Sequence, residues 1–367
     1  MIHQYNELIG LKVLGLVLTL GIFEVPAAAQ TSAVGVSAVR AQRFGNESLL
    51  GLTPQAGDGQ RMVLATGDFN GDGADDLASG MPEDDGLAIS PVVDSGTVVV
   101  RYGIPGEGLS VLLGSVLRQT PGLNPAELGD LFGFALAACD FNGDGFDDLA
   151  VGVASEDYGG HEDAGIVQVH YGTSAGLPAA GDAFYAQSTP GVPGDVEEYD
   201  HFGRSLACGD FDHDFFDDLV VGVPREELET HLPLFLDFNV GEGMIEIIPG
   251  SPFGLDPSSA TSLDRNVAGM LGEAEPWDNF GWSLAAGDFN GDQFDDLAIG
   301  VPSQLDHDQE GRLQVVFGGP FGLTPTGNLL WGEDFLGGEA EEDDRFADSL
   351  TAGDFDGDGR DDLAIGI

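Results

Sequence analysis

Five times along the chain, a short apolar segment of small residues leads into an aspartate-rich stretch, and a second apolar segment leads out of it. SLAAG at 283–287 and LVVG at 219–222 illustrate the two flanks. Two apolar runs around a tight Gly/Asp loop predict a β-hairpin. Farther on, each of the first four units carries an alternating run bounded by glycine: GTVVVRYG at 96–103, GIVQVHYG at 165–172, GMIEIIPG at 243–250 and GRLQVVFG at 311–318. Period-two alternation predicts a third strand. Weaker stretches such as AFYAQ at 183–187 and NLLWG at 328–332 predict a fourth. Four antiparallel strands in a repeat of about 70 residues predict an all-β fold, a β-propeller of four-stranded antiparallel blades. Sandwich units need about 100 residues, and calcium-binding β-helix repeats are much shorter. No useful helical periodicity follows the first segment, which excludes helical solenoids.

The aspartate-rich stretches align as DFNGDGADD at 68–76, DFNGDGFDD at 140–148, DFDHDFFDD at 210–218, DFNGDQFDD at 288–296 and DFDGDGRDD at 354–362. Positions one, three and five carry side-chain oxygens, and position nine is always aspartate. Oxygen donors at odd spacing suit a hard cation. Calcium takes six to eight oxygens, and a loop with side chains at one, three and five plus a carbonyl at seven can wrap it as the first part of an EF-hand does. The candidate ligands are Asp68, Asn70, Asp72, the carbonyl of Ala74 and Asp76 in the first loop, and Asp140, Asn142, Asp144, the carbonyl of Phe146 and Asp148 in the second. Asp210, Asp212, Asp214, the carbonyl of Phe216 and Asp218 form the third set. Asp288, Asn290, Asp292, the carbonyl of Phe294 and Asp296 form the fourth, and Asp354, Asp356, Asp358, the carbonyl of Arg360 and Asp362 the fifth.

Position twelve, glutamate in an EF-hand, is instead Ser79, Val151, Val221, Ile299 and Ile365, followed at position thirteen by Gly80, Gly152, Gly222, Gly300 and Gly366, so the position-nine aspartate has to close the shell. Magnesium prefers a rigid octahedron with retained waters, and zinc favours His and Cys ligands, which these positions lack. The competing reading is an Asp-Gly turn with solvated carboxylates, against which five copies at fixed spacing argue. Position six is glycine in Gly73, Gly145 and Gly359 but Phe215 and Gln293 in the third and fourth loops, which are expected to bind more weakly. His213, at position four, is read as an exposed loop side chain rather than a ligand. The expected affinity is that of extracellular calcium modules, on the order of 0.1–1 mM.

Composition narrows the partners. The chain has 367 residues, 64 carboxylates against 12 bases and a formal charge of −52, with Lys12 its only lysine. Nucleic acid needs a basic stripe and anionic membrane surfaces attract polybasic segments, so both are disfavoured and a divalent cation is the natural counter-charge. With 57 Gly and 19 Pro beside 42% hydrophobic residues, the chain is turn-dense yet able to bury a core.

Residues 1–29 read as a signal peptide: a polar lead with Lys12, an apolar run VLGLVLTLGIF at 13–23, and Ala27-Ala28-Ala29 before Gln30. The run is too short to span a bilayer, which takes about 20 residues. Residues 30–367 then form the propeller, exported to the extracellular space, the cell surface or the periplasm, with no membrane insertion once the leader is removed. Two cysteines exclude a disulfide framework. Cys139 and Cys208 lie in adjacent repeats but one position out of register, and the favoured reading is two buried thiols acting as small apolar side chains. A single bridge is the alternative in an oxidising compartment.

Phe132-Gly133, Phe202-Gly203 and Phe280-Gly281 before the loops, and Gly222-Val223-Pro224 and Gly300-Val301-Pro302 after them, resemble the FG-GAP repeats of integrin α-subunit propellers and their bacterial relatives. The fifth unit has Phe346-Ala347, and the first has no Phe-Gly at the matching place. The resemblance covers roughly residues 38 to 367. It implies calcium loops between the first two strands of each blade, on the face opposite most ligand contacts. Such propellers have about seven blades when complete, so the chain is expected to be a fragment with four full blades plus parts. VRAQRFGNES at 39–48 resembles an outer strand that closes a ring.

The expected function is an extracellular or cell-surface interaction and adhesion module. Structural calcium would stiffen it, and loops at 83–95, 155–164, 225–241 and 303–311 would be available to a protein or glycan partner. The alternative is the propeller region of a secreted hydrolase or lyase whose catalytic part lies outside this chain. Within it the histidines are scattered, H-E-x-x-H does not occur, and the one G-x-S-x-G match, GTSAG at 172–176, has no helical pattern after it as a nucleophile elbow needs, so no catalytic residue is assigned. A third reading is an acid-rich envelope protein of a saline or calcium-rich habitat.

Overall fold

The computed structural model describes residues 13–14, 62–84, 94–120, 126–228, 241–302, 311–336 and 345–366. They form β-strands and two short 3-10 turns, with no α-helix among them. None of their elements is a helix long and apolar enough to cross a membrane.

Four sheets repeat one meander. Blade 1 is β2 (Val63–Gly67), β3 (Asp76–Met81), β4 (Thr97–Ile104) and β5 (Gly108–Leu117). Blade 2 is β6 (Ala135–Cys139), β7 (Asp148–Val153), β8 (Ile166–His170) and β9 (Ala183–Tyr185). Blade 3 is β10 (Ser205–Gly209), β11 (Asp218–Val223), β12 (Met244–Ile248) and β13 (Thr261–Leu263). Blade 4 is β14 (Leu284–Gly287), β15 (Asp296–Val301), β16 (Arg312–Phe317) and β17 (Thr324–Gly332). Neighbouring strands within each of these sheets are antiparallel. A fifth sheet pairs β18 (Ser349–Gly353) with β19 (Asp362–Gly366), and β1 (Val13–Leu14) runs parallel to β19. The first strands β2, β6, β10, β14 and β18 stand side by side in that order, so the sheets radiate as propeller blades. The predicted third and fourth strands fall where the alternating runs placed them.

The core lies between blades. Val98 and Val100 of blade 1 pack with Leu149, Val151 and Ile166 of blade 2, and Val167 and Val169 of blade 2 pack with Leu219, Val221 and Ile248 of blade 3. Each interior blade is covered on both faces, so strands β7, β8, β11 and β12 are buried at every residue. This explains why their sequences carry apolar side chains on both faces of the pleat.

The Phe-Gly dipeptides are the joints. The Gly203 N–H donates to the carbonyl of Gly222 in its own blade (3.2 Å). On the other side, a Cβ placed on Gly152 of blade 2 would stand 2.1 Å from the Gly203 carbonyl oxygen. Gly80 meets Gly133, Gly222 meets Gly281 and Gly300 meets Ala347 in the same way, at 2.3 Å in each case. The position-thirteen glycine is therefore a seat for the next blade, and any side chain there would hold the blades apart. Phe132, Phe202, Phe280 and Phe346 sit behind these joints, fully buried.

One sequence expectation is corrected. Cys139 and Cys208 are not free thiols: they form a disulfide between β6 and β10, the inner strands of blades 2 and 3. A one-position offset reads as a mismatch only when the strands are compared along one chain. Between neighbouring blades it brings the two Cα atoms to 6.3 Å, within bridging range. Most of the leader, residues 39–48, and most of the loops at 83–95, 225–241 and 303–311 lie outside the described residues.

Candidate metal centres

All five aspartate-rich loops join the first two strands of a sheet and share one internal geometry. The position-one carboxylate folds back over its own loop: Asp140 accepts the N–H groups of Asp144 (3.1 Å) and Gly145 (2.8 Å), and Asp68, Asp210, Asp288 and Asp354 do the same in their loops. The position-five aspartate accepts the N–H of position seven, as Asp214 does from Phe216 (3.0 Å). These bonds hold both carboxylates against the backbone of the turn, the position-one aspartate by both of its oxygens.

Position six adopts the left-handed conformation in every copy, with φ of 85° at Gly73, 86° at Gly145, 76° at Phe215, 77° at Gln293 and 87° at Gly359. A side chain in that region costs roughly 1–2 kcal/mol, so the third and fourth loops carry a strain the others lack. His213 adds φ 60° at position four. It is exposed, as expected of a loop side chain, with its ring edge-on to Phe294 of the next blade at 5.7 Å.

Position nine is the most constrained. Asp76 and Asp148 are wholly buried. Asp148 accepts the N–H of Phe141 (3.1 Å) and, across the blade, of Gly172 (2.8 Å). Burial, opposed in part by these N–H donors, pushes its carboxyl up to about 8, and Asp218 and Asp296 to about 7. The position-nine carboxylate thus joins the loop to the end of the third strand.

The predicted ligands converge to different degrees. Among the described residues, three carboxylates come within 4.8 Å of one another at Asp210, Asp212 and Asp214 and at Asp354, Asp356 and Asp362. These are the two loops with aspartate rather than asparagine at position three. In the first and fourth loops Asn70 and Asn290 turn their amide nitrogens toward Asp76 and Asp296, so their oxygens would need a half-turn to face an ion. The donor set fits a hard cation: it is all oxygen, and Asp212 Oδ1 is shut away from solvent with no hydrogen-bond partner. Burial, then the charges of Asp214 and Asp210, raise the Asp212 carboxyl above the usual carboxylate range.

Sequence reasoning missed position eight. Asp147 Oδ2 accepts the N–H of Asp68 in the preceding blade (2.7 Å), and the Asp147 N–H donates to the Asp68 carbonyl (3.2 Å). The same reciprocal pair joins Asp217 to Asp140, Asp295 to Asp210 and Asp361 to Asp288. The signal was the invariant Asp-Asp doublet ending each loop, of which only the second member was given a role.

The folded meanders and their repeated loops define a β-propeller with aspartate-rich hairpins. The FG-GAP repeat family model matches residues 132–170, 202–228, 280–316 and 346–367, and these segments are FG-GAP repeats. Integrin alpha-5 of Xenopus laevis is 32% identical over 65% of this chain and 19% of its own length. Integrin alpha-PS2 of Drosophila melanogaster is 28% identical over 65% of this chain and 15% of its own. Phosphatidylinositol-glycan-specific phospholipase D of Homo sapiens is 31% identical over 51% and 21%. The chain thus spans only about a fifth or less of these relatives. A rhamnogalacturonan lyase structure, YesW, is similar at 13% identity and a TM-score of 0.38, covering 83% of this chain and 57% of that one. That likeness is too loose to carry an argument.

Proposed function

We propose that this chain is an exported calcium-binding propeller that serves as an extracellular or cell-surface interaction module, with structural calcium in the loops between the first two strands of its blades. The observation that carries the reading is the third loop. There Asp210, Asp212 and Asp214 point oxygens into one small space, and one of those oxygens has no hydrogen-bond donor. Three carboxylates held this close repel one another, His213 Nδ1 standing 4.0 Å from Asp210 alone, and a divalent ion is the counter-charge that removes the cost. The ligand face would then be the opposite one, where the segment 155–164 is ordered by mutual backbone bonds between Tyr158 and His161. An extracellular protein or glycan is the partner class proposed for it.

Calorimetric titration of the chain with calcium, with magnesium as control, tests this. Several sites in the range on the order of 0.1–1 mM, accompanied by a calcium-specific rise in Tm, are expected. Absence of binding up to about 10 mM, well beyond that range, in a folded sample would overturn it. A second reading, the propeller region of a secreted hydrolase, is favoured by the phospholipase D relatives. Enzymatic activity would then require residues beyond this chain.

A further inference from the structure

We propose that the position-eight aspartates Asp147, Asp217, Asp295 and Asp361 couple cation binding in successive loops, so that an ion in one loop tightens its neighbour. The inference rests on the calcium reading above and concerns how the sites communicate.

The geometry is a two-point clamp. Asp217 holds the backbone of Asp140 by both of its polar groups: Oδ2 accepts the Asp140 N–H (2.9 Å), and the Asp217 N–H donates to the Asp140 carbonyl (3.2 Å). Asp140 supplies the first ligand of the second loop, and Asp217 immediately precedes Asp218, the closing ligand of the third. A third bond ties the same two loops: Ser251 N–H donates to the Phe141 carbonyl (3.1 Å), while Gly250 N–H, one residue earlier, is held by Asp218 Oδ1 (3.0 Å). Positions one and two of one loop are therefore bonded to residues that directly flank the position-nine carboxylate of the next or its backbone partner. An ion that draws Asp218 toward the loop centre reorients the 217–218 peptide, and with it the seat of Asp140. The clamp recurs from Asp68 to Asp147, from Asp210 to Asp295 and from Asp288 to Asp361, which gives an unbroken relay through all five loops. Hydrogen-bonded elements shared by two sites are the physical carrier that coupling requires.

The seam between blades 2 and 3 is the place to test it, because the Cys139–Cys208 bridge keeps these blades docked when the clamp is cut. Calcium calorimetry would compare two full-length variants that each keep two working loops. Asp72→Ala, Asp292→Ala and Asp358→Ala together leave the adjacent second and third loops. Asp144→Ala, Asp292→Ala and Asp358→Ala leave the first and third, which are not neighbours. In the adjacent pair the second ion is expected to bind about five-fold or more tighter than the first after statistical correction, the lower end of usual coupling energies. The separated pair should fill independently. Adding Asp217→Ala to the adjacent pair should abolish the difference, and Asp217→Asn, whose amide oxygen can still accept the Asp140 N–H, should restore it. Equal behaviour of the two pairs, or coupling that survives Asp217→Ala, overturns the inference while leaving the calcium reading intact. A wild-type chain that binds no calcium removes both.

Discussion

Cys139 and Cys208 are joined across the seam between blades 2 and 3, beside the loops that start at Asp140 and Asp210. The bridge closes a segment with a sequence separation of 69, nearly one whole repeat. A cross-link of that span restricts the unfolded chain, and removing one costs about 2–4 kcal/mol. Replacing both cysteines with serine should lower the denaturant midpoint of the transition that separates these blades, and reduction of the wild type should reproduce the effect. Thiol titration should find no free thiol before reduction and two after it. Identical unfolding curves with and without reductant would show that the bridge does not form in solution.

Glu246 sits at the middle of the third strand of blade 3, fully buried, with neither carboxylate oxygen hydrogen-bonded. The corresponding residues in blades 2 and 4 are Gln168 and Gln314, whose amides reach the Thr120 N–H (3.1 Å) and Asn328. Around Glu246 stand Glu226, which accepts from Gln187 Nε2 (2.7 Å), and Asp200. Burial, then the charges of Glu226 and Asp200, push the Glu246 carboxyl up to about 9. Burial and the charge of Asp200 take Glu226 to about 8, and burial takes Asp200 to about 7. The fold thus favours the protonated acids. Their contribution is complete below the unfolded value of about 4 and is lost as pH rises through 7 to 9. With metal chelated, Tm should fall between pH 5 and pH 9. Glu246→Gln should match the wild type near pH 5 and melt at least ~3 °C higher at pH 9, the shift that about 1 kcal/mol gives in a domain of this order. A Tm profile unchanged by the substitution would mean that Glu246 carries no proton in the fold.

Gly152 offers a steric test of the blade joint. Its added Cβ would lie 2.1 Å from the Gly203 carbonyl oxygen, a backbone atom that the joint holds in place. Gly152→Ala should destabilise by about 1–3 kcal/mol or more. Gly319→Ala, where a Cβ meets nothing within 4 Å, should stay within about 0.5 kcal/mol of wild type. Chemical denaturation of the two variants decides it, and equal midpoints would refute the seat assigned to Gly152.

Strand order and blade architecture were legible in the sequence because their signals are local. The alternation of GTVVVRYG and the glycines around it belong to one strand, and that strand forms as β4. The loop ligands were legible for the same reason, since the nine residues that fold on themselves are consecutive. What stayed hidden depends on contacts between repeats. Asp217 looks like a spare carboxylate until Asp140 of the preceding blade is placed against it, and Cys139 looks out of register with Cys208 until two inner strands lie side by side. The glycine at position thirteen, Gly152 in the second unit, read only as a place without a ligand, whereas its role is to let the next blade's Gly203 approach. Glu246 reads as the polar member of an alternating strand, a pattern that ordinarily faces solvent. In a propeller both faces of an interior blade are covered, so the same alternation buries the acid.

Gln293 brings local strain and ion binding together in one substitution. It holds φ 77° in the fourth loop, where Gly73, Gly145 and Gly359 occupy the matching place in others. Its N–H still donates to Asp288 Oδ2 (2.9 Å), so the turn is the same and only the conformational cost differs. Gln293→Gly keeps that bond and removes a penalty of roughly 1–2 kcal/mol in the folded loop, offset in part by the greater freedom of glycine in the unfolded chain. A small gain in stability without metal is expected. The larger change should be in calcium binding: if the ion requires the loop to hold this conformation tightly, affinity at this site should rise several-fold. Calcium titration of a variant in which Asp72→Ala, Asp144→Ala, Asp214→Ala and Asp358→Ala silence the other loops would read this site alone, with and without Gln293→Gly. A gain in both Tm and affinity ties weak binding to backbone strain at position six. A gain in Tm with unchanged affinity would show that the ion tolerates the strained loop, and would withdraw the expectation that the third and fourth sites are the weaker ones.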